Sequence, residues 1–281
     1  MSAPIQVAHT PHRQVIHRTR GQSHGAVTRL MSPGDLGEIL KPFVFLDLLD
    51  SGRDRFPDFG LHPHSGLATL TYIAEGSISY EDTNGATGIL RAGGVEWMRA
   101  GQGVWHSGGA GEPGRTRGFQ LWVALPPHLE LGGSESLYQG AADIPQAGPA
   151  RVLLGRYGGA ASAIEAPSSI TYLAVRLKAG ETWRYEPPQD HSVLWVGLGK
   201  GSVEASDETL DHGEIVVFEP GPAPVAFKAL TDTEFMIGSA APHPHDLVLG
   251  YYSVHTSAEA LQAGEARIDE IRDTLVVKGR L

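Results

Sequence analysis

The 281-residue sequence contains no cysteine. Disulfides, thiolate metal ligands and a cysteine nucleophile are excluded together, so any metal must sit on nitrogen and oxygen donors. Basic residues are few and scattered, 22 Lys and Arg against 32 Asp and Glu, and the net charge of -10 argues against a phosphate-backbone partner. Direct nucleic-acid binding is therefore not expected. Nowhere do eighteen apolar residues run together, and the opening MSAPIQVAHTPHRQVIHRTR has no apolar core of signal-peptide length. No membrane span is expected, and a cytoplasmic location is the default. What is plentiful is Gly (36) and Pro (19), the composition of tight turns between short strands.

From about residue 43 to 125, short β-branched or aromatic runs alternate with turn signals: VFLDLL, ATLTYIA, SISYE, VEWMR, GVWHS, GFQLWVAL. Such spacing predicts a β-sandwich or barrel. Asn84-Gly85, between SISYE and GILRAG, has the residues a hairpin turn needs for positive φ. A Pro, Gly and Ser-rich stretch, PPHLELGGSESLYQGAADIPQAGP, reads as a linker. Beyond it the style repeats: EGSISYED (75–82) lines up with KGSVEASD (200–207), and each precedes a Gly-initiated strand, GGVEWMRAG and HGEIVVFEPG. The expected plan is a first barrel over 1–130, a linker over 131–150, a second barrel over 151–241 and a C-terminal segment over 242–281 with helices. In that segment Thr256 and Glu259 have capping-box spacing, and Ile268, Ile271 and Leu275 share a helical face.

Chemistry centres on LHPHSG. In an extended strand His62 and His64 point to the same side, roughly 6.6 to 6.8 Å apart, close enough for both imidazoles to reach one ion. Pro63 biases the segment away from helix and removes a ladder donor, which places the pair at a strand edge or barrel mouth. His106, in AGQGVWHSGG, lies about forty residues on and ends a later strand of the same half, which a barrel brings alongside. These three are the candidate metal ligands; the alternative is a set of hydrogen-bonded barrel histidines. The tripeptide recurs as His243, Pro244 and His245, without a third histidine, and is expected to be a surface connection. His9, His12 and His17 are read as part of a mobile polar terminus. Trp97, Trp105 and Trp122 suit either an aromatic pocket or packing between sheets, with Trp105 turned away from His106. GAGEPG (109–114) matches a dinucleotide fingerprint, but Pro113 and the following strand make it a turn.

The run LHPHSGLATLTYIAEGSISYEDTNGATGILRAGGVEWMRAGQGVWHSG, followed by GFQLWVALP, resembles the N-terminal barrel of pirins, a two-barrel branch of the cupin superfamily. The likeness extends upstream through GAVTRLMSPGDLGEILKPFVFLDLLD and covers residues about 20 to 128; HDLVLGYYSVHTSAEAL looks like the family's closing segment. The resemblance implies an all-β fold of two cupin-type barrels (a bicupin), a monomer, and iron or another divalent metal held by three histidines and a glutamate. It also implies either quercetin 2,3-dioxygenase activity on a flavonol-like aromatic substrate or a regulatory, protein-binding role. His62, His64 and His106 stand at the histidine positions. Both implied glutamate positions are vacant: Gly108 stands two residues after His106 and Ala68 four after His64, while Tyr80 replaces a family histidine. Glu81 and Glu96 are the nearby acids, neither of which the sequence assigns. The open readings are a metal-dependent dioxygenase, a non-catalytic regulatory protein, and a metal-free bicupin. WRYEPPQDHS, in the second half, offers no paired histidines.

Overall fold

The computed structural model describes residues 13–281; the readings of His9 and His12 lie outside them. Four large sheets, all antiparallel, make up two similar halves. In the first half a seven-stranded sheet runs in the order 135–139, 95–99, 67–75, 117–124, 43–50, 27–31, 22–24, and faces a four-stranded sheet of 59–64, 104–110, 77–82, 87–91. The second half has the same order: 15–19, 215–218, 193–200, 233–240, 170–177, 150–154, 146–147 in one sheet, and 182–185, 225–229, 202–205, 208–211 in the other. The echo between EGSISYED and KGSVEASD falls on equivalent hairpin strands, so the internal repeat is structural.

The two seven-stranded sheets pack against each other. Phe43, Leu46, Leu70, Trp97 and Phe119 from the first join Tyr172, Trp195, Ile215 and Met236 from the second in one buried cluster. Their central strands are thus covered on both faces. That is why Phe43–Asp50 and Leu67–Glu75 read as nearly unbroken apolar runs rather than alternating ones.

Three edge strands depart from the expected plan, one of them Gln146–Ala147, which lies in the expected linker and pairs with Ala150–Leu154 at the edge of the second large sheet. Val15–Thr19, assigned by sequence to the first unit, pairs with Ile215–Phe218 of the second, so His17 lies on a strand opposite Val217 instead of in a mobile terminus. Within the expected linker, Glu135–Gln139 completes the first large sheet beside Val95–Arg99. Each half therefore has an edge strand supplied by chain lying outside its own compact run. Turn chemistry follows the sequence more closely: Gly85 adopts φ +98° between Ser77–Asp82 and Thr87–Arg91.

At the C-terminus one helix, Ala258–Val277, packs on the first half through Ala260, Gly264, Ile268 and Leu275. Its N-cap is Ser257, whose hydroxyl accepts from the Ala260 amide, and not Thr256 as expected. The reason is competition: the buried Glu130 carboxylate takes both the Thr256 amide (2.7 Å) and its hydroxyl (2.6 Å). The helix backbone comes close here only because residue 264 is glycine, since a Cβ would stand 2.5 Å from both His255 Nε2 and Ser65 Oγ. No helix among the described residues is long and apolar enough to cross a membrane.

Candidate metal centre

Strand 59–64 is the outer strand of its sheet, as Pro63 requires, and pairs with 104–110 so that His62 lies opposite His106 and His64 opposite Val104. The three imidazoles meet: ring centroids are 4.4 Å apart for His62 and His106, 5.0 Å for His64 and His106, and 5.2 Å for His62 and His64. One nitrogen from each lies within 4.8 Å of the others, a cluster able to hold a metal ion.

The outward nitrogens set the tautomers. His62 Nδ1–H donates to the Gly60 carbonyl at 2.8 Å, and His64 Nδ1–H to the Tyr252 carbonyl at 2.9 Å. His106 Nδ1 faces Glu96 Oε1 at 3.5 Å. His62 and His64 are thereby oriented with the Nε2 lone pair inward, the arrangement that outer partners impose on metal-binding imidazoles, and His106 Nε2 points to the same place. His64 Nε2 and His106 Nε2 come to 3.1 Å. At that distance either a neutral N–H···N hydrogen bond or a cation between the two nitrogens satisfies both rings. A shared proton is a poor candidate for that cation, because burial first, and the neighbouring imidazoles second, push His64 well below the ordinary histidine value. His62 is lowered to about 4, chiefly by burial and then by His106. Neutral imidazoles with converging lone pairs fit a divalent metal.

His62 and His106 line a cavity of about 890 Å³, whereas His64, with no exposed surface, lies beneath that lining. Trp122 lines it, stacked on Phe45 (4.0 Å) and edge-on to His64 (4.8 Å). Trp97 is core between the halves, and Trp105 donates its Nε1–H to the Ile268 carbonyl under the C-terminal helix, turned from His106 as expected. Gly108 also lines the cavity, with no atom nearer than 3.7 Å to where its Cβ would be. Of the two acids left open by the sequence, Glu81 points outward and pairs with Arg280, whereas Glu96 is 4% exposed and lines the cavity.

The sequence reading missed the support behind His64. Tyr252, held at φ +53°, presents its carbonyl to that ring. On either side of it Ser65 Oγ contacts Ser253 Oγ (2.8 Å) and His255 Nε2 (3.0 Å), and His255 Nδ1 reaches Glu130 Oε2 (3.2 Å). All of these side chains are at least 97% buried, so the Ser–His–Glu chain is a clamp and offers no nucleophile to solvent. His243 corrects another expectation. It is 8% exposed, its Nε2 3.4 Å from the Leu125 carbonyl, although His245 is exposed as expected and no third ligand joins them. In the second half the interior holds Tyr185, Phe218, Phe227 and Phe235 where the first half has its cavity, and contains no histidine cluster among the described residues.

These buried histidines make stability pH-dependent. His62, His64, His191, His243 and His255 are all lowered, with burial the largest cause in each. The unfolded chain therefore binds more protons than the native one once pH drops below about 6.5, and stability, full above that value, falls as pH falls through it. Metal-free protein is expected to melt at least about 5 °C lower at pH 5 than at pH 7.5 in a calorimetric scan. An unchanged midpoint would contradict this.

Two antiparallel barrels of matching strand order, one enclosing convergent imidazoles at its mouth, make the chain a bicupin. Residues 25–123 match the Pirin family model. A pirin-like protein of Caulobacter vibrioides is 31% identical over 260 residues, 83% of this chain and 88% of the relative; one of Solanum lycopersicum is 30% identical over 263 residues, 89% and 88%. The chain belongs to the pirin family. Among solved structures, quercetin 2,3-dioxygenase from Acinetobacter baumannii superposes with a TM-score of 0.84 at 25% identity, covering 94% of this chain and 98% of that one.

Proposed function

We propose that this pirin holds one divalent metal on His62, His64 and His106 and opens the ring of a planar, flavonol-like aromatic substrate with dioxygen. The observation that carries the proposal is the meeting of three imidazoles, two of which, His62 and His106, line a cavity of about 890 Å³. That volume lies within the roughly 300–1,000 Å³ of small-molecule sites. A metal so held would supply Lewis-acid polarisation of a substrate oxygen. The chain supplies the rest. Trp122 and Tyr252 offer ring faces and edges to a planar substrate, Phe56 and Phe59 add apolar surface to the lining, and Gln120 provides a hydrogen-bonding group. Likeness to the Acinetobacter dioxygenase supports the substrate class. Iron is the ion proposed, on the family resemblance; nickel, zinc, manganese and copper accept the same donors.

The test is aerobic consumption of quercetin by protein loaded with iron(II) or nickel(II), beside a His62→Ala, His64→Ala variant. Turnover is expected to fall at least about 100-fold in the variant. Equal rates in both proteins would remove the proposal. Gly108 and Ala68, each standing where a glutamate is implied, favour a second reading, a non-catalytic regulatory protein. Stoichiometric metal with no flavonol consumed would select it.

A further inference from the structure

Three neutral imidazoles leave a divalent ion with its whole charge, so the question is what replaces the carboxylate that Gly108 lacks. Glu96 and Asp82 are the two acids buried beside the cluster, 4% and 2% exposed. Neither has a Lys or Arg within ion-pair distance among the described residues. Glu96 has only His106, at 3.5 Å. Tyr138 links the pair, but its single hydroxyl proton goes to Asp82 Oδ2 at 2.9 Å, leaving the 3.5 Å approach to Glu96 Oε1 as a weak contact. A buried carboxylate with no Lys or Arg partner is costly, and here two lie against one metal ligand: Asp82, opposite His106 in the ladder, and Glu96, on the facing sheet, 3.5 Å from its ring.

We infer that Glu96 is the relocated carboxylate of this metal centre. It acts as a positioning residue: its carboxylate faces His106 Nδ1 at 3.5 Å, favours the ring orientation that turns Nε2 toward His62 and His64, and, with Asp82 behind Tyr138, offsets the charge of a divalent ion. The site would then be neutral as a whole, without any acid at position 108. This inference rests on metal binding at the three histidines.

The experiment is competition titration of nickel(II) against a chromophoric chelator, with melting curves of each protein before and after metal addition. Glu96→Gln is expected to weaken binding about 10- to 100-fold, the usual cost of losing an outer partner. Its metal-free form should melt at or above the wild-type temperature, because an uncompensated buried charge has been removed, and its metal-induced rise should shrink. Gly108→Glu in the Glu96→Gln background, where the cavity has room for the side chain, should recover most of the affinity. Wild-type affinity in Glu96→Gln overturns the inference while leaving the three-histidine site standing; absence of binding in wild type overturns both. A metal-free Glu96→Gln protein melting well below wild type would assign Glu96 to structure and also overturn it, and Glu96→Asp, expected to keep intermediate affinity, checks that result in a variant that retains the charge.

Discussion

His64→Ala is expected to abolish stoichiometric binding of nickel(II) or iron(II), a loss well beyond the roughly 10- to 100-fold that removal of an outer partner costs. His64 is the most enclosed of the three rings, with no exposed surface, and its Nε2 lies 3.1 Å from that of His106. Without it the remaining pair, His62 and His106, offers two donors, too few to compete with water for a divalent ion in the absence of a directly bound carboxylate. The readout is calorimetric titration together with thermal melting. Added metal should raise the wild-type midpoint, because an ion that binds only the folded state stabilises it by mass action, and should leave the variant unmoved. A variant that still takes up one equivalent with near-wild-type affinity would show that His64 serves packing and hydrogen bonding alone.

Glu130→Ala carries the second large effect, on stability. Glu130 lies 125 residues from His255 in sequence, yet its carboxylate receives the His255 ring and both polar groups of Thr256, and is 3% exposed. Alanine would leave the buried His255 ring and the part-buried amide and hydroxyl of Thr256 without their acceptor, and removal of one partner from such a network costs about 3–5 kcal/mol. Denaturant unfolding measures it. The loss should extend to the site, because the same clamp holds Ser253 against Ser65 and so keeps the Tyr252 carbonyl over His64. Weakened metal affinity in Glu130→Ala, with His62, His64 and His106 intact, is the accompanying expectation. A variant as stable as wild type would mean that the C-terminal segment is held by its apolar contacts instead.

The parts of this arrangement that were readable in the sequence are those encoded locally. His62, Pro63 and His64 announce an extended outer strand with two rings on one side, because side-chain alternation and the fixed φ of proline act within three residues. His106 could be added because strands of one barrel lie side by side, and WRYEPPQDHS already showed that the second half lacks paired histidines. The all-β class and the repeat followed from turn spacing. What could not be read depends on pairing between distant segments. Nothing in VIHRT says that residues 15–19 pair with a strand some two hundred residues later. Nothing in HTSAEA says that Thr256 will be claimed by Glu130, so the cap was placed one residue early. Glu96 and Glu81 were equivalent acids until the sheets showed one facing inward beside His106 and the other outward beside Arg280. The register of 104–110 against 59–64 slips between His106 and Gly108, an irregularity that parity counting along the chain does not reveal.

The most direct measurement is the metal content of protein purified without an affinity tag, stripped with chelator, incubated with iron(II) or nickel(II) and freed of excess ion, beside a variant with alanine at positions 62, 64 and 106. One ion per chain in wild type and none in the variant is the expected result. The same trace content in both would mean that the three imidazoles meet without holding a metal, and the functional proposal would fall with them.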